Sequence, residues 1–270
     1  MTHADELPLV FAASPYANAV PLVHFLGRAG PRVRVRYGHP STMAALLLDG
    51  QADAALIPTI DLFEAPLRRI EGLGVCAEDA VQSVLIKCQR PLPQVRIVAT
   101  DPASHTSNAL AFFLLRDRFG LVARLGCAAG ETPDAAVVIG DRALSLPPAP
   151  CGDYDMAREW KALTGLPFVF AVWAHRADHP RAAELAAIAH RAKEAGLAAL
   201  DELARLTARR LQLDENRCRA YLQSAIHYDV GPREDAAIAR FREWVIRDNL
   251  LPARNATARQ LADASAGRAS

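Results

Sequence analysis

Between residues 7 and 175 of this chain, short apolar runs alternate with amphipathic stretches. Apolar runs of this length are typical of buried strands, and an amphipathic stretch between two of them is typical of a helix that packs on the sheet. The alternation therefore predicts an α/β fold with mixed, mostly parallel sheets. The predicted strands cover residues 7–13, 33–37, 54–57, 72–77, 81–87, 95–100, 135–139 and 168–175.

The last third of the chain has the pattern of long helices without strands between them. Residues 182–211 carry apolar side chains at helical spacing, which predicts an amphipathic helix with a break near Gly196 or a cap before Asp214. Pro232 suits the first turn of a further helix because its φ is fixed in the helical range. Residues 253–270 lack a bulky apolar stripe, so we expect this tail to fray.

Two proline-containing segments predict the connections between two lobes. Residues 91–93 read Pro-Leu-Pro and residues 165–167 read Gly-Leu-Pro, and proline holds a connection extended. We therefore predict a discontinuous first lobe of residues 1–90 plus 178–270 and an inserted second lobe of residues 91–177. The cleft between the lobes is the expected ligand site.

The overall charge excludes two classes of partner. The 270 residues include 31 basic and 30 acidic side chains, a net charge of +1, so no global field attracts nucleic acid or an anionic membrane. The first residues are acidic where a secretory signal is basic, and no apolar run approaches the length of a membrane span. We therefore expect a cytoplasmic protein that binds neither nucleic acid nor membrane.

Metal and disulfide chemistry find little support in the sequence. The chain has five cysteines, an odd number without a C-x-x-C pair, so we expect buried, reduced thiols and no zinc site. His175 and His179 are four residues apart, but a predicted strand ends near the first and a proline follows the second. This context favours a structural or surface role over metal ligation. Fingerprints for dinucleotides, nucleoside triphosphates, α/β-hydrolases and zincins are absent.

Two polar junctions between a strand and a helix are the strongest site candidates. Residues 14–21 read Ser-Pro-Tyr-Ala-Asn-Ala-Val-Pro, and residues 100–108 read Thr-Asp-Pro-Ala-Ser-His-Thr-Ser-Asn. Such a junction presents main-chain N–H groups, hydroxyls and an amide at one point, which together can receive a carboxylate. Because the junctions come from different halves of the chain, they predict a small anion held between two lobes.

Each candidate side chain also has a purely structural interpretation. Asn18 could be a turn residue or cap, and Ser83 could be a satisfied core hydroxyl within a strand. Thr106 and Ser107 could simply cap the next helix, although capping and anion binding share one geometry. Asp141 follows a strand's carboxyl end, where α/β sheets place ligands, but it could equally form a salt bridge or a cap.

Several segments occur in the order of a known family. They read Tyr16-x-Asn18-Ala19-x-Pro21, Pro40-Ser41, Gly50-Gln51-Ala52-Asp53-Ala54-Ala55-Leu56-Ile57-Pro58, Ser83-Val84-Leu85, Ser104-x-Thr106-Ser107, Ile139-Gly140-Asp141-x-Ala143-Leu144, Thr164-Gly165-Leu166-Pro167-Phe168-Val169-Phe170-Ala171-Val172-Trp173-Ala174 and Tyr228-Asp229-x-Gly231. Together they resemble the chorismate dehydratase family of the futalosine route to menaquinone. The first motif departs from the family's usual pattern at Pro15, Ala17 and Val20, which predicts an altered pocket wall.

The resemblance implies a fold, an activity and a set of site residues. The fold is that of type II periplasmic-binding proteins, and the reaction removes water from chorismate, a small dicarboxylate, without metal or organic cofactor. Asn18 and Ser83 are the implied catalytic residues, while a carboxylate of the substrate acts as the base. The expected substrate-binding residues are Ser14, Tyr16, Ser41, Ser104, Thr106, Ser107 and Asp141.

Two other functions remain open at this point. A lyase of the 1,4-dihydroxy-6-naphthoate synthase type also has a Ser-Pro pair like Ser14-Pro15, although the continuation after Tyr16 differs. A non-catalytic binding protein for a small carboxylate would use the same kind of cleft. The sequence contains no signal for the oligomeric state.

Overall fold

A computed structural model describes residues 7–30, 32–63 and 66–252 of the chain. The predicted tail at 253–270 lies outside the described residues. Within them, the strands are β1 (Leu9–Ala13), β2 (Val33–Tyr37), β3 (Ala54–Pro58), β4 (Leu67–Ala77), β5 (Val84–Cys88), β6 (Ile97–Ala99), β7 (Arg124–Leu125), β8 (Ala135–Ile139), β9 (Asp153–Asp155) and β10 (Phe168–Arg176).

The helices lie between these strands and after the last of them. They are α1 (Val20–Val23), α2 (Leu26–Ala29), α3 (Met43–Leu48), α4 (His105–Phe113), α5 (Gly140–Ser145), α6 (Met156–Thr164), α7 (Ala182–Ala198), α8 (Leu200–Leu211), α9 (Glu215–Ala220) and α10 (Pro232–Arg247). Short 3-10 segments cover Ala17–Ala19, Pro40–Thr42, Thr59–Phe63 and Leu92–Gln94, and π turns cover Leu114–Arg118 and Tyr221–Ala225. In the described part of the chain, no helix is both long and apolar enough to cross a bilayer.

The strands form two five-stranded mixed sheets, which confirms the predicted fold class. The first sheet has the order β2-β1-β3-β10-β4, and the second has the order β7-β6-β8-β5-β9. In the first sheet β1 pairs parallel with β2 and β3, whereas β10 pairs antiparallel with β3 and β4. In the second, β6 pairs parallel with β7 and β8, whereas β5 runs antiparallel to β8 and β9.

The sheets correct the predicted boundaries of the lobes. Strand β5 lies in the second sheet and β10 in the first, so the chain passes between the sheets before residue 84 and again before residue 168. The predicted hinge at residues 91–93 is wrong, because Leu92–Gln94 is a 3-10 turn that connects two strands of the second sheet. The boundaries 90/91 and 177/178 therefore move to about 83/84 and 167/168, and we retain the two-lobe division as a proposal.

Helix α10 packs against residues from both halves of the molecule. The centroid of the Phe241 ring lies 5.2 Å from that of Phe168 and 6.0 Å from that of Phe113. The centroids of the Trp244 and Trp160 rings lie 5.2 Å apart. The core is correspondingly continuous, with residues of both sheets in one hydrophobic cluster. Full burial of the Phe241 ring contributes about 1.5–3 kcal/mol, and through this ring α10 contacts elements that pack on both sheets.

The predicted helical break falls at Ala199, three residues beyond Gly196. Helix α7 continues through Gly196 to Ala198, and α8 begins at Leu200. Gly196 is required by a close approach: a Cβ built there would lie 1.9 Å from the carbonyl oxygen of Pro21. The glycine thus lets α7 lie directly against α1, the helix that follows the first polar junction.

The cysteines and paired histidines have structural environments. Three thiols are buried as expected, whereas Cys127 is exposed and Cys151 is half-buried, and none forms a disulfide. His175 donates from Nδ1 to the carbonyl of Arg176, and His179 contacts Asp53 through Nε2 at 2.9 Å. The two histidines are thus engaged with protein groups, and no cluster of metal-ligating side chains occurs among residues 7–30, 32–63 and 66–252.

Candidate active site

The two polar junctions meet in one cleft. Ser14, Tyr16 and Asn18 from the first junction line it together with Ser104 and Ser107 from the second. The cleft contains about 510 Å³ of unfilled space, open solvent at its mouth included, of which about 50 Å³ admits the centre of a water molecule. The remaining lining residues are largely apolar: Pro40, Leu56, Pro58, Val75, Val84, Ile139, Gly140, Phe170 and Ala171.

The first junction presents unpaired polar groups to this cleft. Within the described ranges, the Ser14 hydroxyl, the Tyr16 hydroxyl and the Asn18 amide have no protein hydrogen-bond partner, although Ser14 is only 7% exposed. Tyr16 and Asn18 are half-buried and the polar atoms of all three side chains reach solvent, so each can bind a ligand without first breaking a protein hydrogen bond. Their common position indicates a polar ligand over an apolar floor.

Gly140 positions the ring of Tyr16. Gly140 begins α5 with φ of +60°, and a Cβ built on it would lie 2.9 Å from Cδ2 of that ring. Burial raises the pKa of Tyr16 above its ordinary value, and the charges of Asp101 and Asp141 raise it further. The phenol therefore remains a neutral hydrogen-bond donor near pH 7.

The main-chain donors that we expected to receive the anion are largely occupied by protein acceptors. The Ser107 N–H donates to Ser104 Oγ at 3.1 Å, and Ser104 in turn donates its hydroxyl proton to Ser107 Oγ. The Ala17 N–H donates to Asp141 Oδ1 at 2.7 Å, and the Ser41 N–H donates to the carbonyl of Ala103 at 3.2 Å. The side chains of the first junction, rather than these amides, are therefore the available donors.

Three of the predicted binding residues do not line the cleft. Asp141 accepts from the Ala17 N–H and from Arg210 Nη1, both at 2.7 Å, and so joins the start of α5 to the first junction and to α8. Thr106 accepts at Oγ1 from the N–H of Ile60. The third, Ser41, is half-buried next to the lining residue Pro40. These contacts join different parts of the chain around the cleft.

Ser83 lies behind the cleft wall and is fully buried. Its Oγ accepts a hydrogen bond of 2.7 Å from the hydroxyl of Tyr221, and its carbonyl accepts one from the N–H of Gly140. Burial raises the pKa of Tyr221, so the phenol stays protonated and donates. The next residue, Val84, lines the cleft. Tyr221 was missed at the sequence level because a tyrosine on an apolar helical face is typical of a core residue.

A second cavity adjoins the cleft and shares Ser14 and Tyr16 with it. About 220 Å³ of this cavity admits the centre of a water molecule. Its other lining residues include His24, Tyr37 and Arg210. The cleft itself has no charged side chain among its described lining residues, so the two cavities differ in electrostatic character. This second cavity could not be predicted from the sequence, because Arg210 follows the first junction by almost two hundred residues.

Comparison with known proteins identifies relatives over most of the chain. A family model described as menaquinone biosynthesis matches residues 9–246. The chorismate dehydratase of Thermus thermophilus is 32% identical over 228 residues, which cover 76% of this chain and 83% of the relative. The chorismate dehydratase of Campylobacter jejuni is 28% identical over 240 residues, which cover 86% of this chain and 96% of that protein.

Solved structures show the fold. Protein AF1704 from Archaeoglobus fulgidus superposes with a TM-score of 0.71 at 14% identity, covering 92% of this chain and all of that chain. A Candida albicans protein described as having the generic periplasmic-binding-protein fold superposes with a TM-score of 0.58 at 10% identity, covering 87% and 89%. The predicted periplasmic-binding-protein-like fold is thus confirmed. With its match across residues 9–246, the chain belongs to the menaquinone-biosynthesis family.

Proposed function

We propose that this protein is a chorismate dehydratase that converts chorismate to 3-[(1-carboxyvinyl)oxy]benzoate. The observation that carries the proposal is the meeting of the two junction motifs in one cleft, with unpaired neutral donors over an apolar floor. The relatives named chorismate dehydratase support the same activity. The 1,4-dihydroxy-6-naphthoate synthase type of lyase has no comparable support.

The proposed reaction is an elimination across C3 and C4 of the ring. A carboxylate oxygen of the substrate takes the C3 proton, and the C3–H electron pair forms the new double bond between C3 and C4. The C4–O bond breaks as the carboxylic acid so formed gives that proton to the leaving oxygen, which departs as water. Because the product ring is aromatic, the reaction is strongly favoured. The protein's task is therefore to orient the substrate, exclude water and polarise the leaving group.

Asn18 suits a role at the reacting centre. Its amide has both a donor and an acceptor, and neither has a protein partner within the described residues. The N–H of this amide would donate to the leaving C4 oxygen. Ser83 would act from behind the wall, with its oxygen already receiving the Tyr221 proton and its own O–H left to donate. We propose that no cofactor takes part, because the substrate supplies the base.

The neutral lining also favours a substrate carboxylate as the base. A neighbouring cation would stabilise the ionised carboxylate and lower its pKa, whereas desolvation without a cation raises it. The described lining of the cleft offers hydroxyls, an amide and apolar carbons. A carboxylate that is desolvated there and accepts none of these hydrogen bonds is therefore a stronger base than the same group in water.

The direct test is to incubate the purified protein with chorismate and to record the ultraviolet spectrum as the aromatic product forms. We expect Asn18→Ala and Ser83→Ala each to lower turnover by more than about tenfold while the fold is retained. Asn216→Ala, the same change on the exposed surface of α9, is the matched control and should retain full activity. Tight binding of chorismate by the wild-type protein without any aromatic product would instead indicate a non-catalytic binding protein.

A further inference from the structure

The cavity beside the cleft, which we call the side chamber, has one guanidinium in its wall, that of Arg210, which is paired with Asp141. It is lined by Ser14, Pro15, Tyr16, Val20, Val23, His24, Tyr37 and Arg210, and it shares only Ser14 and Tyr16 with the cleft. The Tyr16 side chain thus forms part of both walls. A ligand that extends past the Tyr16 ring would have one end in the cleft, whose described lining has no charged side chain, and the other end beside the guanidinium of Arg210.

Arg210 has hydrogen-bonding capacity to spare. One of its nitrogens, Nη1, donates to Asp141 Oδ2 at 2.7 Å, and the side chain is 43% exposed. Within the described ranges, its Nε and Nη2 have no acceptor. A guanidinium offers five N–H donors in a planar fork, so an Arg held by one carboxylate can bind a second one. The bond to Asp141 also fixes where the remaining donors lie.

The proposed substrate has two carboxylates with opposite requirements. The carboxylate of the enolpyruvyl arm lies close enough to C3 to act as the base, and it needs a cation-free environment to stay basic. The carboxylate on the ring cannot reach C3, so it is free to be anchored by a cation without any loss of basicity at the reacting centre. A site that holds both groups must therefore be electrically asymmetric, as the cleft and the side chamber are.

We propose that Arg210 binds the ring carboxylate of the substrate in the side chamber, and so directs the enolpyruvyl carboxylate into the neutral cleft. This assignment rests on the proposed dehydratase function and makes Arg210 a specificity-determining residue. The apolar side chains of Val20 and Val23 line the same chamber and provide contacts for ring carbons. Substrates without a carboxylate at this ring position would lose the anchor.

The test measures binding of three stable ligands by calorimetry, so it does not depend on turnover. The ligands are 3-[(1-carboxyvinyl)oxy]benzoate, which has both carboxylates, 3-hydroxybenzoate, which has only the ring carboxylate, and 2-phenoxyprop-2-enoate, which has only the arm carboxylate. Arg210→Gln should weaken the first two by about tenfold to a hundredfold, as expected for a charged hydrogen bond, and leave the third within about twofold. Arg210→Lys, which keeps the charge without the fork, should give an intermediate loss.

Arg209→Gln is the matched control, because Arg209 is the exposed neighbour on α8 and does not line either cavity. With chorismate, Arg210→Gln should raise KM by the same factor and change kcat less than about threefold. Equal weakening of all three ligands would mean that Arg210 acts only through Asp141, and selective weakening of 2-phenoxyprop-2-enoate would place the arm in the chamber. Either result, or no weakening at all, overturns the assignment. A wild-type protein that binds these ligands but leaves chorismate unchanged would refute the dehydratase function alone.

Discussion

The contact between α7 and α1 leaves no room for a side chain at position 196, so Gly196→Ala is the most informative packing test. The new Cβ would lie 1.9 Å from the carbonyl oxygen of Pro21 and 2.7 Å from its carbonyl carbon. A carbon and a carbonyl oxygen pack at about 3.3 Å or more, so the two helices would have to separate by about 1.4 Å. Backbone atoms cannot rotate away as a flexible side chain could.

The expected cost follows from this separation. Overpacking of a rigid contact destabilises by about 1–3 kcal/mol and occasionally more, and here it exceeds the gain of about 1 kcal/mol that alanine brings to a helix interior. At the upper end of that cost, we expect a net loss of about 2 kcal/mol, or a fall in Tm of roughly 4–8 °C for a chain of this size. Because Pro21 follows Asn18 by three residues, the displacement should also lower turnover of chorismate.

The assay is chemical denaturation followed by circular dichroism, with Gly27→Ala as the control. Gly27 lies in α2, a helix as well, and a Cβ built there has no neighbour within 4 Å. The control should therefore be stabilised by about 0.5–1 kcal/mol. If Gly196→Ala and Gly27→Ala unfold at the same denaturant concentration, α7 does not lie against α1 as described.

Three further predictions concern two residues beside the cleft and one buried aspartate. Asp141→Asn should lower stability by about 1–3 kcal/mol, since the variant loses one of two acceptors and its charge; an unchanged urea midpoint would contradict the described bonds. Gly140→Ala should lower kcat/KM, because the new Cβ would displace the Tyr16 ring. Gly120→Ala is the control and should leave activity intact, since Gly120 has a similar φ of +65° but a Cβ there has no neighbour within 4 Å. Equal activity in the two variants would argue against the ring contact. Burial is the main reason that the pKa of Asp61 is raised, so the wild-type protein should lose stability relative to Asp61→Asn as pH rises above the ordinary aspartate pKa. Below that pKa, the stability difference between the two proteins should not change with pH. Urea midpoints measured across this range provide the check, and a stability difference that is the same at every pH would refute the shift.

The sequence predicted the fold where local patterning decides it. The strands at 33–37 and 135–139 have the predicted bounds, because each is a compact apolar or alternating run between turn residues. Strand β9, with the sequence Asp-Tyr-Asp, was missed since its polar residues give no strand signal. The sheet to which β5 and β10 belong could not be predicted either, because a buried antiparallel strand looks the same in either sheet.

The site was predictable to the extent that it consists of local motifs. Ser14, Tyr16, Asn18, Ser104 and Ser107 do share a cleft, and each follows the carboxyl end of a strand, β1 in the first sheet or β6 in the second. The partners of individual side chains were not predictable. The bonds from Ala17 to Asp141 and from Tyr221 to Ser83 join residues 124 and 138 positions apart, and no local spacing encodes them.

Some residues of the family motifs do not line the cleft but form hydrogen bonds between distant parts of the chain around it, which is a reason for the family resemblance to extend so far along the chain. Asp141 binds the first junction and α8 at one side of the cleft, and Thr106 binds the N–H of Ile60 at another. Only about 50 Å³ of the cleft admits the centre of a water molecule, so we expect the cleft to widen when a ring-sized ligand enters, and the Thr106–Ile60 bond to resist that widening. A substitution at Thr106 should therefore change the rate of ligand entry and release even though its side chain does not line the cleft. Stopped-flow binding of 3-[(1-carboxyvinyl)oxy]benzoate, whose enolpyruvyl arm enters the cleft, to Thr106→Val measures this directly, and an association rate equal to that of the wild-type protein would assign Thr106 to static packing.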